Sequence, residues 1–292
     1  MQTKRQIQEL LSSAGVRPNK RLGQHFLIDK NLMRLLVEFA DIQKDDVVLE
    51  VGCGTGSMTE LLAERAGRTI AVELDRNLIE IAGRQLAEIE TVELIKADIL
   101  ESKHTINHAI TDALARARKE YEGRILLVAN LPYHVASPVM LNLVTGPTIA
   151  DAMYVTVQKE VAGRMTAPPA SGDYGVLSIF LHAAGDVKTI RTLKPTVFWP
   201  QPQVDSAMVG FVRNRAKAAR IVNMAVFSDI VHLFMGHRRK TLLACTRLAG
   251  GKLAAIANWA QVLEQCGIDP GLRPEKLSAE DYITLSNRAV KS

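Results

Sequence analysis

Cysteine is scarce in this chain. Cys53, Cys245 and Cys266 are odd in number, far apart and without a CxxC pair, which excludes a disulfide framework and a thiolate metal cluster. Long apolar runs are missing as well. No stretch approaches the roughly 18 uninterrupted apolar residues that a membrane span needs, and the opening MQTKRQIQELLSSAG lacks the apolar run of a secretory leader. A soluble, cytoplasmic protein without a membrane partner or a metal is therefore expected. Internal repeats and low-complexity segments are also lacking. Acid is nearly absent from one stretch: between Arg213 and Arg247, eight Lys or Arg residues stand against the single acid Asp229.

What is present is enough for a large core. The 292 residues are 47% apolar, which excludes disorder, and a net charge of +5 favours a polyanionic partner. Helical spacing of Ile7, Leu10, Leu11 and Ala14 predicts a first helix that stops at Gly15. A basic loop, RPNKRLGQHFL, follows, and Asp29 is a candidate N-cap for a second helix with the stripe Leu32, Leu35, Leu36 and Phe39.

The pattern then changes to short apolar runs at Val47 to Val51, Thr69 to Val72, Val92 to Ile95, Ile125 to Ala129 and Met153 to Val157, separated by helical stretches. Runs buried on both faces and alternating with helices predict a parallel sheet with crossover helices. Val187 to Leu193 and Ala207 to Val212 read as an antiparallel addition at the sheet's end. After Val212 strand signals cease, and Ala216 to Phe234, His237 to Leu248, Lys252 to Cys266 and Ser278 to Val290 read as helices. The expected class is α/β, a Rossmann-like sheet over residues 1–212 followed by a small all-helical domain over residues 213–292.

The first strand ends in Glu50-Val51-Gly52-Cys53-Gly54-Thr55-Gly56 and the second in Glu73-Leu74-Asp75. Glycines in such a turn let backbone approach a ligand closely, and an acid at the neighbouring strand's tip can hold two ribose hydroxyls. A dinucleotide fold wants GxGxxG with pyrophosphate on a helix N-terminus, whereas GxGxG preceded by an acid goes with S-adenosylmethionine, which has no phosphate. Asp98, after the third strand, could accept from the adenine amine of that cofactor; the plainer alternative is an Asp capping the next helix.

The fourth strand runs into Asn130-Leu131-Pro132-Tyr133. The exocyclic amine of a nucleobase is a poor nucleophile because its lone pair is delocalised into the ring. If the Asn130 side-chain oxygen and the Leu131 carbonyl accept its two N–H bonds, they favour a pyramidal nitrogen with the lone pair aimed at the sulfonium methyl. Pro132 fixes the turn without adding a competing donor, and Tyr133 can stack on the extruded base. Phe198, in a proline-rich loop, is a candidate for the base's other face, the alternative being a core plug.

With these motifs in order, the chain resembles the ribosomal RNA adenine N6-dimethyltransferases of the KsgA type. The likeness extends to Lys20-Arg21-Leu22-Gly23-Gln24-His25-Phe26-Leu27, Gln158-Lys159-Glu160-Val161-Ala162, Val197-Phe198-Trp199-Pro200-Gln201-Pro202-Gln203-Val204-Asp205-Ser206 and Arg238-Arg239-Lys240-Thr241-Leu242. The resemblance implies dimethylation of two adjacent adenosines near the 3′ end of small-subunit rRNA during subunit maturation, by a monomer. It places cofactor contacts at Gln24, His25, Leu27, Gly52, Gly54, Glu73, Leu74, Asp98, Ile99 and Asn130. RNA contacts would fall at Lys20, Arg21, Arg238, Arg239 and Lys240.

Two positions depart from the family: His25 stands where many members have Asn, and Cys53 where proline is frequent. The segment Ser102 to Gly123 is longer than expected and reads as a solvated surface helix. Three rivals share the sheet motifs: a large-subunit rRNA methyltransferase of the macrolide-resistance type, a non-catalytic RNA-binding assembly factor, and a small-molecule methyltransferase. Intact Glu73, Asp98 and Asn130 argue against the second, and the basic helical region argues against the third.

Overall fold

A computed structural model describes residues 1–19, 22–146 and 148–290. The five apolar runs form five parallel strands: β1 (Val47–Val51), β2 (Arg68–Glu73), β3 (Val92–Lys96), β4 (Ile125–Asn130) and β5 (Ala152–Gln158). All of β1 is buried, as the lack of alternation in VVLEV requires. β6 (Gly185–Leu193) and β7 (Ser206–Arg213) extend the sheet to seven strands in the order β3-β2-β1-β4-β5-β7-β6, with β7 antiparallel to β5. The chain winds outward in both directions from β1. A crevice therefore opens between the carboxyl ends of β1 and β4, where an open α/β sheet places its ligand.

The helices of the sheet region are α1 (Lys4–Ser13), α2 (Lys30–Ala40), α3 (Ser57–Ala63), α4 (Arg76–Gln85), α5 (His108–Ala117), α6 (Ala136–Thr145) and α7 (Lys159–Thr166). Thr3 closes a capping box on α1, and Asp29 accepts from the Asn31 and Leu32 N–H groups to start α2. The buried face of α2 is turned from the expected stripe. It carries Leu32, Met33, Leu36, Val37 and Ala40 against β5, while Phe39 stays 40% exposed beneath the Lys188 ammonium. Counting Met33 and Val37 gives a wider apolar face than counting Leu35 and Phe39, and the wider face wins.

The segment expected to be a solvated helix is only partly helix, and its helix is solvated on one face only. It opens with a hairpin, Leu100–Ser102 against Thr105–Ile106, and continues as α5, which buries Ile110, Ala113, Leu114 and Ala117 and packs beside β2. It is the crossover that parallel β3 and β4 require.

The chain divides into two compact units, Met1–Ala162 with Lys188–Val212, and Gly163–Val187 with Arg213–Ser292. The single boundary expected near Arg213 thus misses one segment. Residues 163–187 join the C-terminal helices because α8 (Val176–Ala184) is apolar nearly all round and serves as their core, with Phe180 edge-on to Phe227 at 5.2 Å. The other helices of that unit are α9 (Arg215–Ala218), α10 (Met224–Gly236), α11 (Leu242–Thr246), α12 (Trp259–Gln265) and α13 (Ala279–Ala289). They are shorter than expected because Asn223, Thr241 and Asn258 each accept a backbone N–H and start a new helix inside an apolar pattern.

Candidate functional site

At the end of β1 the chain enters a turn in which Gly52 has φ 77° and Gly54 φ 60°. Both positions are tight. A Cβ on Gly52 would lie 3.0 Å from the Pro132 ring, and one on Gly54 would lie 3.0 Å from the Phe26 ring. Glycine therefore allows the β1 turn to touch both the loop after β4 and the N-terminal segment. The pocket so formed is lined by the turn itself, by Glu73 and Leu74 from β2, by Asp98 and Ile99 after β3, and by Asn130 to Val135 after β4. Gln24 to Leu27 close it from the N-terminal side.

Glu73 is 7% exposed and accepts from the Gly54 N–H at 2.9 Å and the Asp75 N–H at 3.0 Å. Burial pushes its carboxyl up against those hydrogen bonds, and each oxygen keeps lone-pair capacity for a ribose hydroxyl. Gln24 donates to Asp75 at 3.0 Å, and Asp75 in turn caps α4, which ties the N-terminal segment to the tip of β2. Asp98 is exposed and accepts from the Leu100 N–H at 3.0 Å. It starts a hairpin rather than a helix, and it lines the pocket.

Asn130 is positioned by His25. Its amide N–H donates to the His25 carbonyl at 2.8 Å, which fixes the side chain's orientation, and its Oδ1 is buried without a hydrogen-bond partner among the described residues. An orphaned buried acceptor is costly, and such a group calls for a ligand. The His25 Nδ1 lies 2.6 Å from the Pro200 carbonyl, so that nitrogen carries the proton. The His25 ring also stacks on Tyr133, centroids 5.6 Å apart, and the Tyr133 hydroxyl is 3.0 Å from Ser206 Oγ on β7. Burial raises the Tyr133 phenol, which stays neutral.

One expected residue falls elsewhere. Phe198 is 1% exposed, pairs through its backbone with Leu27 and sits in the core with Leu32, Leu36 and Met208, so it plugs the fold and does not face the pocket. Lys20 and Arg21 lie outside the described residues. Arg238, Arg239 and Lys240 occupy the turn between α10 and α11, closed by the Lys240 N–H on the His237 carbonyl at 2.8 Å; they do not fan around a helix as their sequence pattern suggests. Among the described residues no group of His, Cys, Asp and Glu could hold a metal, and no helix is long and apolar enough to cross a membrane.

Glu50, the acid that precedes the glycine turn, also lines the pocket, although it is not among the cofactor contacts expected from the resemblance. Glu50 is 1% exposed at the end of β1, accepts from the Thr59 hydroxyl at 2.6 Å, and burial pushes its carboxyl up to about 8. A signal for it exists, since a charged residue inside VVLEV has no place in a buried strand without a task. The glycine cradle, the paired carboxyls and the orphaned Asn130 oxygen together fit S-adenosylmethionine beside an amine.

The family model for ribosomal RNA adenine dimethylases matches residues 15–291. A ribosomal RNA small subunit methyltransferase A from Pelotomaculum thermopropionicum is 37% identical over 96% of this chain and 94% of its own. One from Clostridium perfringens is 37% identical over 97% and 94%. Among solved structures, a dimethyladenosine transferase from Plasmodium falciparum aligns with a TM-score of 0.70 at 20% identity, over 88% of this chain and 94% of its own. The 23S rRNA methyltransferase ErmE aligns with 0.61 at 21%, over 91% and 99%. These two share the class I methyltransferase fold, which by itself does not separate small-subunit from large-subunit enzymes. The match over nearly the whole chain does the rest: this protein belongs to the ribosomal RNA adenine dimethylases.

Proposed function

We propose that this protein dimethylates the N6 amines of two adjacent adenosines near the 3′ end of small-subunit rRNA, acting as a cytoplasmic monomer during subunit maturation. The observation that carries the reading is the orphaned Asn130 Oδ1, a buried acceptor at the edge of a cofactor pocket. S-adenosylmethionine, when bound, supplies an electrophilic methyl group on a sulfonium. Asn130 Oδ1 and the Leu131 carbonyl accept the two N–H bonds of the amine and direct its lone pair. Tyr133 holds the extruded adenine by stacking on the ring face turned away from His25, a contact of roughly 1–3 kcal/mol. No strong base is needed, because the amine turns acidic only as it is methylated and then loses its proton to solvent. Gln24, His25, Leu27, Gly52, Gly54, Glu73, Leu74, Asp98 and Ile99 bind the cofactor.

The helical unit supplies the affinity for RNA. Its cations outnumber acids eight to one between Arg213 and Arg247, and the Arg238 to Lys240 turn presents three of them in succession. Neutralised phosphates release counterions, so this part of the binding is salt-dependent. Small-subunit specificity is favoured over the macrolide-resistance reaction by the shared name of the relatives at 37% identity. The test is to incubate the protein with labelled cofactor and under-methylated small or large subunits and to map the label. Label on adjacent adenines of the small-subunit rRNA is expected; label on the large subunit overturns the assignment.

A further inference from the structure

The sheet holds the glycine turn through its first three residues. The Gly52 and Cys53 N–H groups donate to the Val72 carbonyl at 2.8 and 3.2 Å, and the Gly54 N–H donates to Glu73. The Gly56 N–H then closes the turn on the Cys53 carbonyl at 3.0 Å. Thr55 stands between two glycines in left-handed backbone, Gly54 at φ 60° and Gly56 at φ 83°. Glycine takes up other conformations at little cost, so this stretch needs a hold from outside if its shape is to be fixed before a ligand arrives.

That hold comes from the residues that lead into α1. Gln2 is 9% exposed, and its side chain grips Thr55 twice: Nε2 donates to the Thr55 carbonyl at 3.1 Å, and the Thr55 hydroxyl donates to Oε1 at 2.5 Å. The Gln2 N–H donates to the hydroxyl of Ser57, the first residue of α3, at 2.8 Å. Thr55 is 1% exposed, so removing Gln2 would strand polar atoms inside the protein. The helix itself docks by its apolar face. Ile7 and Leu11 are buried with Leu78 and Ile81 of α4, and Ile7 lines the pocket. α1 therefore reaches from the glycine turn to the helix that follows Glu73.

We infer that α1 is a clasp on the cofactor pocket, with Gln2 the positioning residue that sets the glycine turn and Ile7 part of the wall. Docking of α1 and retention of the cofactor are one coupled equilibrium, in which each favours the other by the same factor. The clasp holds the turn and not the methyl group, so it acts on S-adenosylmethionine and S-adenosylhomocysteine alike.

The inference rests on the pocket holding S-adenosylmethionine, and the experiment reports on that separately. S-adenosylhomocysteine is titrated calorimetrically into the intact protein, and amide hydrogen exchange is followed with and without it. Exchange over residues 4–13 should slow several-fold when the ligand binds. Gln2→Ala should weaken both ligands about five- to fiftyfold and speed exchange over residues 52–56, with saturating ligand restoring the protection. In turnover this reads as a raised KM for S-adenosylmethionine with kcat and the KM for RNA kept. Failure of either ligand to bind the parent protein overturns the pocket reading and the inference with it. Binding that leaves exchange in α1 unchanged overturns the inference alone, as does a variant with a lowered melting temperature and unaltered cofactor affinity. The exchange comparison needs only the parent protein, so it decides the matter even if the variant fails to fold.

Discussion

Asn130 is restrained on one side and open on the other. Its amide is spent on the His25 carbonyl and its oxygen is left without a partner among the described residues; in the proposed reaction that oxygen accepts from an amine, a hydrogen bond that strengthens as the nitrogen pyramidalises. Asn130→Ala should therefore lower turnover more than RNA affinity, and Tyr133→Ala should damage both, because stacking holds the base before reaction; single-turnover rates measured beside RNA titrations distinguish these patterns. At Glu73 the expected loss is in the cofactor. Glu73→Ala should weaken S-adenosylmethionine by about 1.5–3 kcal/mol, the range for hydrogen bonds to a charged group, and calorimetry with a circular-dichroism check of the fold measures it. The place of both residues in the pocket is legible in the sequence, because an acid or an amide at the tip of a buried parallel strand has few other reasons to be there. Phe198 is not, since an aromatic residue in a proline-rich loop reads the same whether it faces a base or plugs a core.

The strands emerge from the sequence nearly intact, because a run buried on both faces needs no partner's position to be recognised. Apolar spacing alone makes the C-terminal helices too long. Asn223, Thr241 and Asn258 sit within continuing apolar spacing, and only their accepted N–H bonds show that the chain stops and restarts there. The consequence reaches function at Arg238, Arg239 and Lys240. A turn imposes no helical face on them, so replacing all three with Gln removes charge without breaking a helix. Binding to the small subunit should weaken, and its log–log salt dependence should flatten by about 0.7–0.9 for each phosphate no longer neutralised, while cofactor affinity stays the same. Titrations at several salt concentrations on parent and variant check this; an unchanged slope would return the turn to ordinary surface.

For the whole molecule, buried carboxyls set how stability follows pH. Burial holds Glu50 and Glu73 above their ordinary values, so the stability they contribute is present below about pH 4.5 and is lost as pH rises, for Glu50 through about 8. Asp46 works the other way. Burial pushes it up, but hydrogen bonds from Arg124 and the Gln43 and Arg124 N–H groups outweigh that and leave it lowered, so its contribution is present above its ordinary value and lost in acid. The cofactor-free protein should melt highest on the acid side of neutrality. Glu50→Gln should raise the melting temperature near pH 8 by about 2–4 °C for each kcal/mol of penalty removed and change little near pH 5, as scanning calorimetry across that range would show.

The contact between His25 and Pro200 spans 175 residues. The first wall of the pocket leaves the ribosome early, but the residues that brace it, Phe198 against Leu27 and the Pro200 carbonyl against the imidazole, are translated much later. A nascent chain that has emerged as far as β5 carries every glycine and acid of the cofactor turn, but its His25 segment is held by Gln24 on Asp75 and by the His25 ring on Tyr133, without the brace from Phe198 and Pro200. The wall of the pocket beside Asn130 is therefore completed only by residues made after all five parallel strands.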